Sequence, residues 1–223
     1  MMSSWPSVKY EFILPLRYQL WGPKDKGTVI CLHGYQDHAL AMIRRIGWQE
    51  ATDLPFQVLA INAPFPVPVW TADGFREAYS WYFRDVSRNL FLVKPEDTAS
   101  HVARLINEIG LSQTPKAIFG FSQGGFLAPY LAKKLINIKG IIGVGCGYNA
   151  DNYRDLVPIQ IFAIHGEKDE RVAIDQSRTE FAALMQKGFS GEFDAVPHIE
   201  HWLDKRLEPR VRARAEQILL CNK

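Results

Sequence analysis

The sequence has few cysteines, no long hydrophobic run and no excess of charge of one sign. Only three of its 223 residues are cysteines. Cys31, Cys146 and Cys221 lie far apart and lack metal-ligand spacing, which favours free thiols in a reducing compartment over a disulfide scaffold. The N-terminus also lacks the pattern of a secretory signal, so we expect a cytoplasmic protein.

Short apolar runs and balanced charge exclude two further classes. The longest apolar runs, such as residues 141–146 and 159–164, fall well below the ~18 residues that a membrane span requires. Lys and Arg together number 26 and Asp and Glu 24, for a net charge of +2. Nucleic-acid binding needs a basic excess on one face, so we expect neither a nucleic-acid partner nor integral membrane association. With 47% hydrophobic residues, the composition is that of a folded globular protein.

Short β-branched runs alternate with longer helical patterns along most of the chain. The runs are apolar throughout, which is typical of parallel strands covered on both faces. The predicted strands are 28–32, 57–61, 116–120, 140–144, 159–164 and 192–196, with 10–20 as an edge strand or hairpin. The predicted helices are 38–52, 95–109, 124–135, 175–187 and 208–220. This alternation predicts a doubly wound, mostly parallel sheet with helices on both faces, in one domain over residues 1–223.

Residues 62–93 interrupt the alternation. The segment contains Pro64, Pro66 and Pro68 and eight aromatic residues between Phe65 and Phe91. A long segment without periodicity is unusual in a compact domain and is often functional. One interpretation is a proline-ordered surface loop whose rings pack on the core. The other is an excursion above the carboxyl edge of the sheet that shapes a substrate site.

A G-x-S-x-G motif, GFSQG at 120–124, lies directly between a predicted strand and a predicted helix. In that context the motif forms a sharp turn that lifts the serine hydroxyl above the sheet. Gly120 and Gly124 remove side chains that would collide with neighbouring backbone in so tight a turn. The start of the following helix favours negative charge nearby. We therefore predict that Ser122 is a nucleophile; the alternative is an ordinary capped helix start.

A serine nucleophile needs a base, and the base needs an acid that orients it. On this scaffold they follow the serine in the order acid, then histidine. Asp169 comes just after a buried predicted strand, with Glu167 and Glu170 as rivals in the same loop. Both His198 and His201 follow the last predicted strand. We favour His201, because His198 follows the strand at once and a triad loop needs more residues to return over the nucleophile.

An oxyanion hole is the remaining part of such a site. His33-Gly34-Tyr35 follows the first buried strand, and Gly34 lets the backbone turn toward the nucleophile. The backbone amides of Tyr35 and Gln123 are then expected to converge on a carbonyl oxygen. For His33, and likewise for a histidine at 165, we favour a structural role that braces the loop.

These motifs resemble the phospholipase/carboxylesterase family of α/β-hydrolases, which includes acyl-protein thioesterases and small bacterial carboxylesterases. The resemblance covers nearly the whole chain. It rests on LHGYQD at 32–37, APFPVPVWTADGFREAYSWYF at 63–83, GFSQGG at 120–125, HGEKDERV at 165–172 and the histidine after the last strand. It implies an α/β-hydrolase fold and a serine hydrolase with Ser122, Asp169 and His201, with main-chain oxyanion donors at Tyr35 and Gln123.

Two positions depart from the family pattern. The first loop commonly reads H-G-x-G-D, and this chain has Gln36 in place of the second glycine. The last histidine usually follows a glycine, and here Glu200 precedes His201. The catalytic inference is therefore firmer than any particular substrate.

The expected activity is hydrolysis of carboxylic esters or thioesters of short to medium acyl chains, through an acyl-serine intermediate. We expect Trp70, Phe75, Trp81 and Tyr82 to contact an acyl group. The substrate is expected to be small and uncharged. The 62–93 segment has no lysine and only three arginines, too few basic residues to indicate selection for a polyanion. No metal or organic cofactor is implied, and the oligomeric state is left open. The alternatives are a non-enzymatic binding protein on a hydrolase scaffold, and a peptidase or lactone hydrolase with the same triad.

Overall fold

The computed structural model describes residues 15–49 and 51–220. Its strands, in chain order, are β1 (Tyr18–Trp21), β2 (Thr28–Leu32), β3 (Gln57–Ile61), β4 (Phe65–Pro66), β5 (Val69–Thr71), β6 (Gly74–Arg76), β7 (Tyr79–Ser80), β8 (Phe83–Asp85), β9 (Leu90–Val93), β10 (Lys116–Phe121), β11 (Ile138–Val144), β12 (Gln160–Gly166) and β13 (Ser190–Val196). The α-helices are α1 (Ala39–Ile46), α2 (Pro95–Glu108), α3 (Gln123–Ala132), α4 (Ile174–Met185) and α5 (Glu208–Leu220). Single 3₁₀ turns cover Ala150–Tyr153 and Lys205–Leu207.

Seven strands form the central sheet, in the order β1-β3-β2-β10-β11-β12-β13. All neighbours are parallel except β1, which pairs antiparallel with β3 at the edge. The predicted mostly parallel sheet is thus confirmed. Of the segment 10–20, residues 18–20 belong to edge strand β1, and residues 10–14 lie outside the described residues.

Alternate residues of each strand enter two different hydrophobic cores. On β2, Val29 and Cys31 pack with the buried faces of α1 and α5, whereas Ile30 and Leu32 pack with α2, α3 and α4. All four side chains are essentially inaccessible to solvent. Because successive strand residues point to opposite faces, a continuous apolar run is what a sheet covered on both sides requires.

Several helix boundaries differ from the sequence-based prediction. The first helix was expected over 38–52 but ends at Ile46, because Gly47 takes the left-handed conformation (φ 83°) and its N–H donates to the carbonyls of Ile43 and Arg44. Glycine adopts such a φ without steric cost, which makes it an effective helix stop. At the other key junction, α3 begins at Gln123, directly after Ser122.

The 62–93 segment is built from three small antiparallel ribbons, β4 with β7, β5 with β6 and β8 with β9. The segment is partly buried and partly exposed. Ala78, Tyr79 and Trp81 are buried, so part of the segment packs into the core. The side chains of Trp70 and Leu92 remain 79% and 70% exposed, so other parts stand out from it.

A buried lysine fixes the entry into β10. The Lys116 side chain is inaccessible to solvent, and its Nζ donates to the carbonyls of Leu111, Ser112 and Thr114 at 2.8, 2.8 and 2.5 Å. These carbonyls belong to the turn between α2 and β10. The ammonium group therefore satisfies three acceptors that a hydrophobic side chain would leave without a donor.

We expect Lys116→Met to lower the free energy of unfolding by about 1–3 kcal/mol, because buried carbonyls lose their donor. The matched control is Lys134→Met, which removes an exposed lysine just after α3. Urea unfolding followed by tryptophan fluorescence measures both. Equal midpoints for the two variants would contradict this role of Lys116.

Candidate active site

Three polar side chains meet at the carboxyl ends of three parallel strands of the central sheet. Ser122 follows β10, Asp169 comes three residues after the end of β12, and His201 follows β13 by five residues. Because parallel strands end at one edge of the sheet, their following loops converge there. The predicted nucleophile, acid and base are thereby brought together from distant parts of the chain.

The turn at Ser122 is as tight as its sequence predicts. Ser122 has φ 49° and ψ −116°, a backbone conformation that L-residues rarely adopt and that costs on the order of 1–3 kcal/mol. A Cβ atom at Gly120 would lie 2.5 Å from the carbonyl oxygen of Gly124, and one at Gly124 would collide with the carbonyl of Leu32. Both glycines are therefore required by close backbone approach.

A continuous chain of hydrogen bonds joins the three side chains. Asp169 Oδ2 accepts from His201 Nδ1 at 2.7 Å, and His201 Nε2 lies 2.9 Å from Ser122 Oγ. A carboxylate at Nδ1 fixes the tautomer that leaves Nε2 free to accept the serine proton. The ring of Phe121 packs against the imidazole, with centroids 5.2 Å apart, and holds its orientation.

The environment of Asp169 keeps this carboxyl ionised. Its Oδ1 accepts from the amides of Arg171 and Val172, both at 2.9 Å. Burial by itself would raise the pKa of Asp169, but the hydrogen bonds from His201 and the Val172 amide prevail, so the pKa lies below its usual value. The carboxylate is thus available to an imidazolium throughout the neutral range.

The rival residues stand apart from this chain. The side chains of Glu167, Glu170 and His198 are exposed, whereas Asp169 is buried. His198 sits in a turn with φ 61°, and the intervening Ile199 is buried in the core. Glu200, the departure from the family pattern, is exposed, which explains why a charged residue fits before His201.

The loop after β2 carries a candidate oxyanion donor. Within the described part of the chain, neither the Tyr35 amide nor the Gln123 amide donates to a protein acceptor. The loop is braced from inside by His33, whose Nδ1 donates to Gly34 O at 2.7 Å and whose Nε2 accepts from the Ala63 amide at 3.0 Å. Burial lowers the pKa of His33 to about 4, so the ring stays neutral at physiological pH. Its contacts match the expected bracing role.

His165 is a second histidine close to the acid. Its side chain is buried, and Nε2 donates to the Val172 carbonyl at 2.9 Å and lies 3.4 Å from Asp169 Oδ2. Burial lowers its pKa, chiefly by desolvation of the charged form. It supports the acid's loop and stands away from Ser122, as the sequence reasoning expected of it.

The Gln123 side chain has a function that sequence reasoning missed. Its Oε1 accepts from the Trp81 amide at 3.0 Å, and its Nε2 donates to Ser80 Oγ at 3.1 Å and to the Tyr82 carbonyl at 2.9 Å. These bonds tie the 62–93 segment to the first residue of α3. The residues belong to two motifs that are visible in the sequence, the Gln of GFSQGG and the S-W-Y of the 62–93 segment. Nothing in the sequence indicates that the two motifs contact each other.

Two cavities lie near Ser122, and the first of them is lined by triad residues. The first, here called the nucleophile cleft, has a volume of about 310 Å³ and contains Ser122 and His201 in its lining. It is completed by Gly34, Tyr35, Gln36, Asp37, Arg45, Arg76, Phe121, Arg171 and Trp202. The second, here called the aromatic cavity, has a volume of about 710 Å³ and lies against Tyr82, Phe91, Phe126 and Tyr130. Phe126 is one helical turn from Ser122, since its amide donates to the Ser122 carbonyl.

The four aromatic residues predicted to contact an acyl group lie in three different places. Tyr82 lines the aromatic cavity. Trp81 does not fit the prediction, because its ring is fully buried and its Nε1 donates to the His33 carbonyl at 2.7 Å. Trp70 and Phe75 face each other on the exposed β5–β6 ribbon and line neither cavity. The physical reason is that Trp70 and Phe75 lie on the exposed β5–β6 ribbon, whereas Trp81 and Tyr82 lie in the link between β7 and β8.

The described residues contain neither a cluster of side chains that could bind a metal nor a helix that could span a membrane. In residues 15–49 and 51–220, no group of three or more His, Cys, Asp or Glu side chains is placed so that it could hold a metal ion. Nor does any helix of this part of the chain have the length and apolar character needed to cross a membrane.

Gln36, the departure in the first loop, adopts φ 55°. We expect Gln36→Gly to raise the free energy of unfolding by about 0.5–1 kcal/mol, because relief of the left-handed strain outweighs the added freedom of the unfolded chain. Gln113→Gly is the control, since this exposed loop glutamine has an ordinary φ and should lose stability. Chemical denaturation measures the free energy of unfolding of both variants. A loss of stability in Gln36→Gly as large as that in the control would show that Gln36 is not strained.

Several solved structures are similar to this chain over most of its length. Esterase PE8 matches with a TM-score of 0.72 and 21% identity over 92% of this chain and 99% of that one. Acyl-protein thioesterase 2 of Zea mays matches with a TM-score of 0.69 and 20% identity, covering 91% and 99%. The Bacillus cereus carboxylesterase matches with a TM-score of 0.62 and 12% identity, covering 91% and 94%. At these identities the likeness shows the shared α/β-hydrolase fold.

Sequence comparisons place the chain in a family. A comparison with curated proteins finds no match. The family model described as Phospholipase/Carboxylesterase matches residues 22–208. This range includes the loop after β2, the 62–93 segment, the tight turn at Ser122 (here called the elbow) and the loops of Asp169 and His201. With this match over most of its length and the fold described above, the chain belongs to the phospholipase/carboxylesterase family of α/β-hydrolases.

Proposed function

We propose that the protein is a serine hydrolase that cleaves carboxylic esters, and thioesters as a second class, through an acyl-serine intermediate. The observation that carries the proposal is the unbroken hydrogen-bond chain from Ser122 Oγ through His201 to Asp169. Nucleophile, base and orienting acid in this order are the parts that acyl transfer needs. Membership of the family supports the same reaction class.

In the first step, Ser122 Oγ attacks the carbonyl carbon while His201 Nε2 takes the hydroxyl proton. Asp169 stabilises the imidazolium through the bond at Nδ1. The carbonyl oxygen gains a negative charge, which we expect the amides of Tyr35 and Gln123 to bind. Each such donor is worth about a hundred- to thousandfold in rate.

In the second step, the tetrahedral intermediate collapses and His201 returns the proton to the departing alcohol or thiol. The acyl group is then bound to Ser122 as an ester. A water molecule, deprotonated by the same Nε2, attacks this ester and releases the carboxylic acid. The serine recovers its proton, so the cycle consumes one water and yields one acid and one alcohol or thiol.

The aromatic cavity is the proposed site for the acyl chain. Tyr82, Phe91, Phe126 and Tyr130 provide apolar surface close to the nucleophile. Glu180 and Asn152 line the same cavity, so a chain long enough to reach them would desolvate polar groups. This combination favours short to medium chains over long ones.

Two further parts of the proposal rest on other observations. Cys31 and Cys146 are buried free thiols, which suits a reducing, cytoplasmic location. One structural neighbour is an acyl-protein thioesterase, which supports thioesters as the second substrate class. A small-molecule ester or thioester is the proposed binding partner.

We expect Ser122→Ala and His201→Ala each to lower kcat by at least about a thousandfold, because only binding and oxyanion stabilisation remain. His198→Ala is the matched control, since His198 is an exposed histidine in the same loop. A chromogenic short-chain ester measures all three variants at equal folded fraction.

Labelling by a fluorophosphonate provides an independent readout of the same assignment. The adduct is expected on the peptide that contains Ser122 and is expected to vanish in Ser122→Ala. A label on another serine, or a dead His198→Ala beside an active His201→Ala, would overturn the assignment of nucleophile or base. A protein that neither labels nor hydrolyses esters would be a binding protein on this scaffold.

The acyl cavity predicts a chain-length profile. With p-nitrophenyl esters, kcat/KM should rise about tenfold for each two carbons added beyond acetyl until the cavity is filled, since a buried methylene is worth about 0.8 kcal/mol. Phe126→Ala should flatten the rise, whereas the control Phe75→Ala, which removes an exposed phenylalanine of the same segment as Tyr82, should keep it. A profile that falls steadily from acetyl would reject the aromatic cavity as the acyl site.

A further inference from the structure

Arginines from three distant parts of the sequence line the nucleophile cleft. Arg45 comes from α1, Arg76 from β6 and Arg171 from the loop that carries the triad acid. Among the described residues of the lining, Asp37 is the one acid. The cleft beside Ser122 and His201 therefore holds an excess of positive charge that the balanced composition of the whole chain conceals.

One of the three charges is already compensated. Arg45 and Asp37 form a salt bridge in which both side chains are largely shielded from solvent. The guanidinium of Arg45 also lies over the ring of Trp202, 5.1 Å from its centroid. Arg45 is thus a fixed wall of the cleft, held by an acid and an aromatic ring.

Arg76 and Arg171 differ from Arg45, because neither forms a salt bridge with the described residues. Arg76 Nη2 donates to the carbonyl of Gln36 at 3.1 Å, a neutral acceptor that holds the side chain beside the loop of Tyr35. The guanidinium of Arg171 makes no hydrogen bond or salt bridge with the described residues, although its amide is fixed on Asp169 Oδ1. Two guanidinium groups therefore line the cleft that contains Ser122, and neither forms a salt bridge with an acid of the described residues.

The position of His201 decides which part of a substrate meets these arginines. His201 Nε2 must protonate the departing atom, so the leaving group lies on the imidazole side of Ser122. His201 lines the nucleophile cleft together with Arg76 and Trp202, and neither Ser122 nor His201 lines the aromatic cavity. The leaving group is therefore assigned to the nucleophile cleft and the acyl chain to the aromatic cavity. Arg171 borders both cavities, so its guanidinium stands at the boundary between them.

We propose that the nucleophile cleft binds an anionic group, a carboxylate or a phosphate, on the leaving-group portion of the substrate, through Arg76 and Arg171. A guanidinium matches either anion with paired donors. The inference rests on the proposed hydrolase function and adds its substrate class. It replaces the uncharged substrate expected from the 62–93 segment alone, which contributes only Arg76 to this cleft.

The test compares esters that differ only in the leaving group. 4-Nitrophenyl butyrate is the neutral ester, 3-carboxy-4-nitrophenyl butyrate the carboxylate, and the analogue with a phosphonate at the same ring position the phosphate mimic. Each kcat/KM is divided by the rate of hydroxide hydrolysis of that ester, which removes differences in intrinsic reactivity. Wild type, Arg76→Gln, Arg171→Gln and the double variant are measured with each ester.

The control variant is Arg88→Gln. Arg88 is an exposed arginine of the 62–93 segment, like Arg76, but it lines neither cavity.

We expect the wild type to prefer at least one anionic ester by about tenfold, with a preference that falls as ionic strength rises. Each single variant should lower that preference about three- to tenfold and leave the neutral ester within about twofold, and the double variant should abolish the preference. A greater preference for the carboxylate or for the phosphonate identifies which anion the cleft suits.

The proposal is overturned if the neutral ester is hydrolysed as well as both anionic ones, or if the double variant keeps the preference. It is also overturned if Arg88→Gln reduces the preference as much as Arg171→Gln does, because the effect would then be general surface charge. A protein that hydrolyses none of the esters and takes no phosphonate label at Ser122 would instead refute the proposed hydrolase function.

Discussion

The site depends on a close approach between two backbones, where α3 starts beside the end of β2. Gly124 lies so near the carbonyl of Leu32 that no side chain fits between them. This contact holds the start of α3 against the sheet and keeps Ser122 in its strained conformation (φ 49°). Packing of the sheet and helix offsets the strain, and the hydroxyl consequently faces the loops of the acid and the base.

The same turn also organises the long segment above the sheet. Gln123, the residue after the nucleophile, has its amide beside the cleft and its side chain bonded to Ser80, Trp81 and Tyr82. Trp81 in turn donates to the carbonyl of His33. The elbow, the 62–93 segment and the first loop are therefore held as one unit, so the wall of the aromatic cavity has a fixed position relative to Ser122.

Charge is distributed unevenly around the nucleophile. The aromatic cavity combines four aromatic rings near α3 with Arg84 and Glu180, whose charges are opposite. The nucleophile cleft holds Arg45 and Arg76 with the single acid Asp37 among its described lining residues, and Arg171 borders both cavities. Such a division suits a substrate with an apolar acyl part and a polar leaving group. The Asp37–Arg45 pair, with Trp202 stacked on Arg45, gives the nucleophile cleft a rigid wall between α1 and the loop of His201.

The sequence by itself determined the parallel sheet, the tight turn at Ser122 and the order in which Ser122, Asp169 and His201 follow their strands. Each depends on local patterns: apolar runs between helical periods, glycines two residues either side of Ser122, and polar residues just after strands. Tertiary structure alone decided which histidine meets Ser122, because the buried Ile199 leaves His198 exposed in its turn while His201 reaches the serine. It also decided that Trp81 is core and Tyr82 a cavity wall, since hydrogen bonds to Gln123 and to the His33 carbonyl fix the link between β7 and β8 in which both residues lie. The arginine-lined cleft had no sequence signal, because its members are separated by dozens of residues and only the fold brings them together.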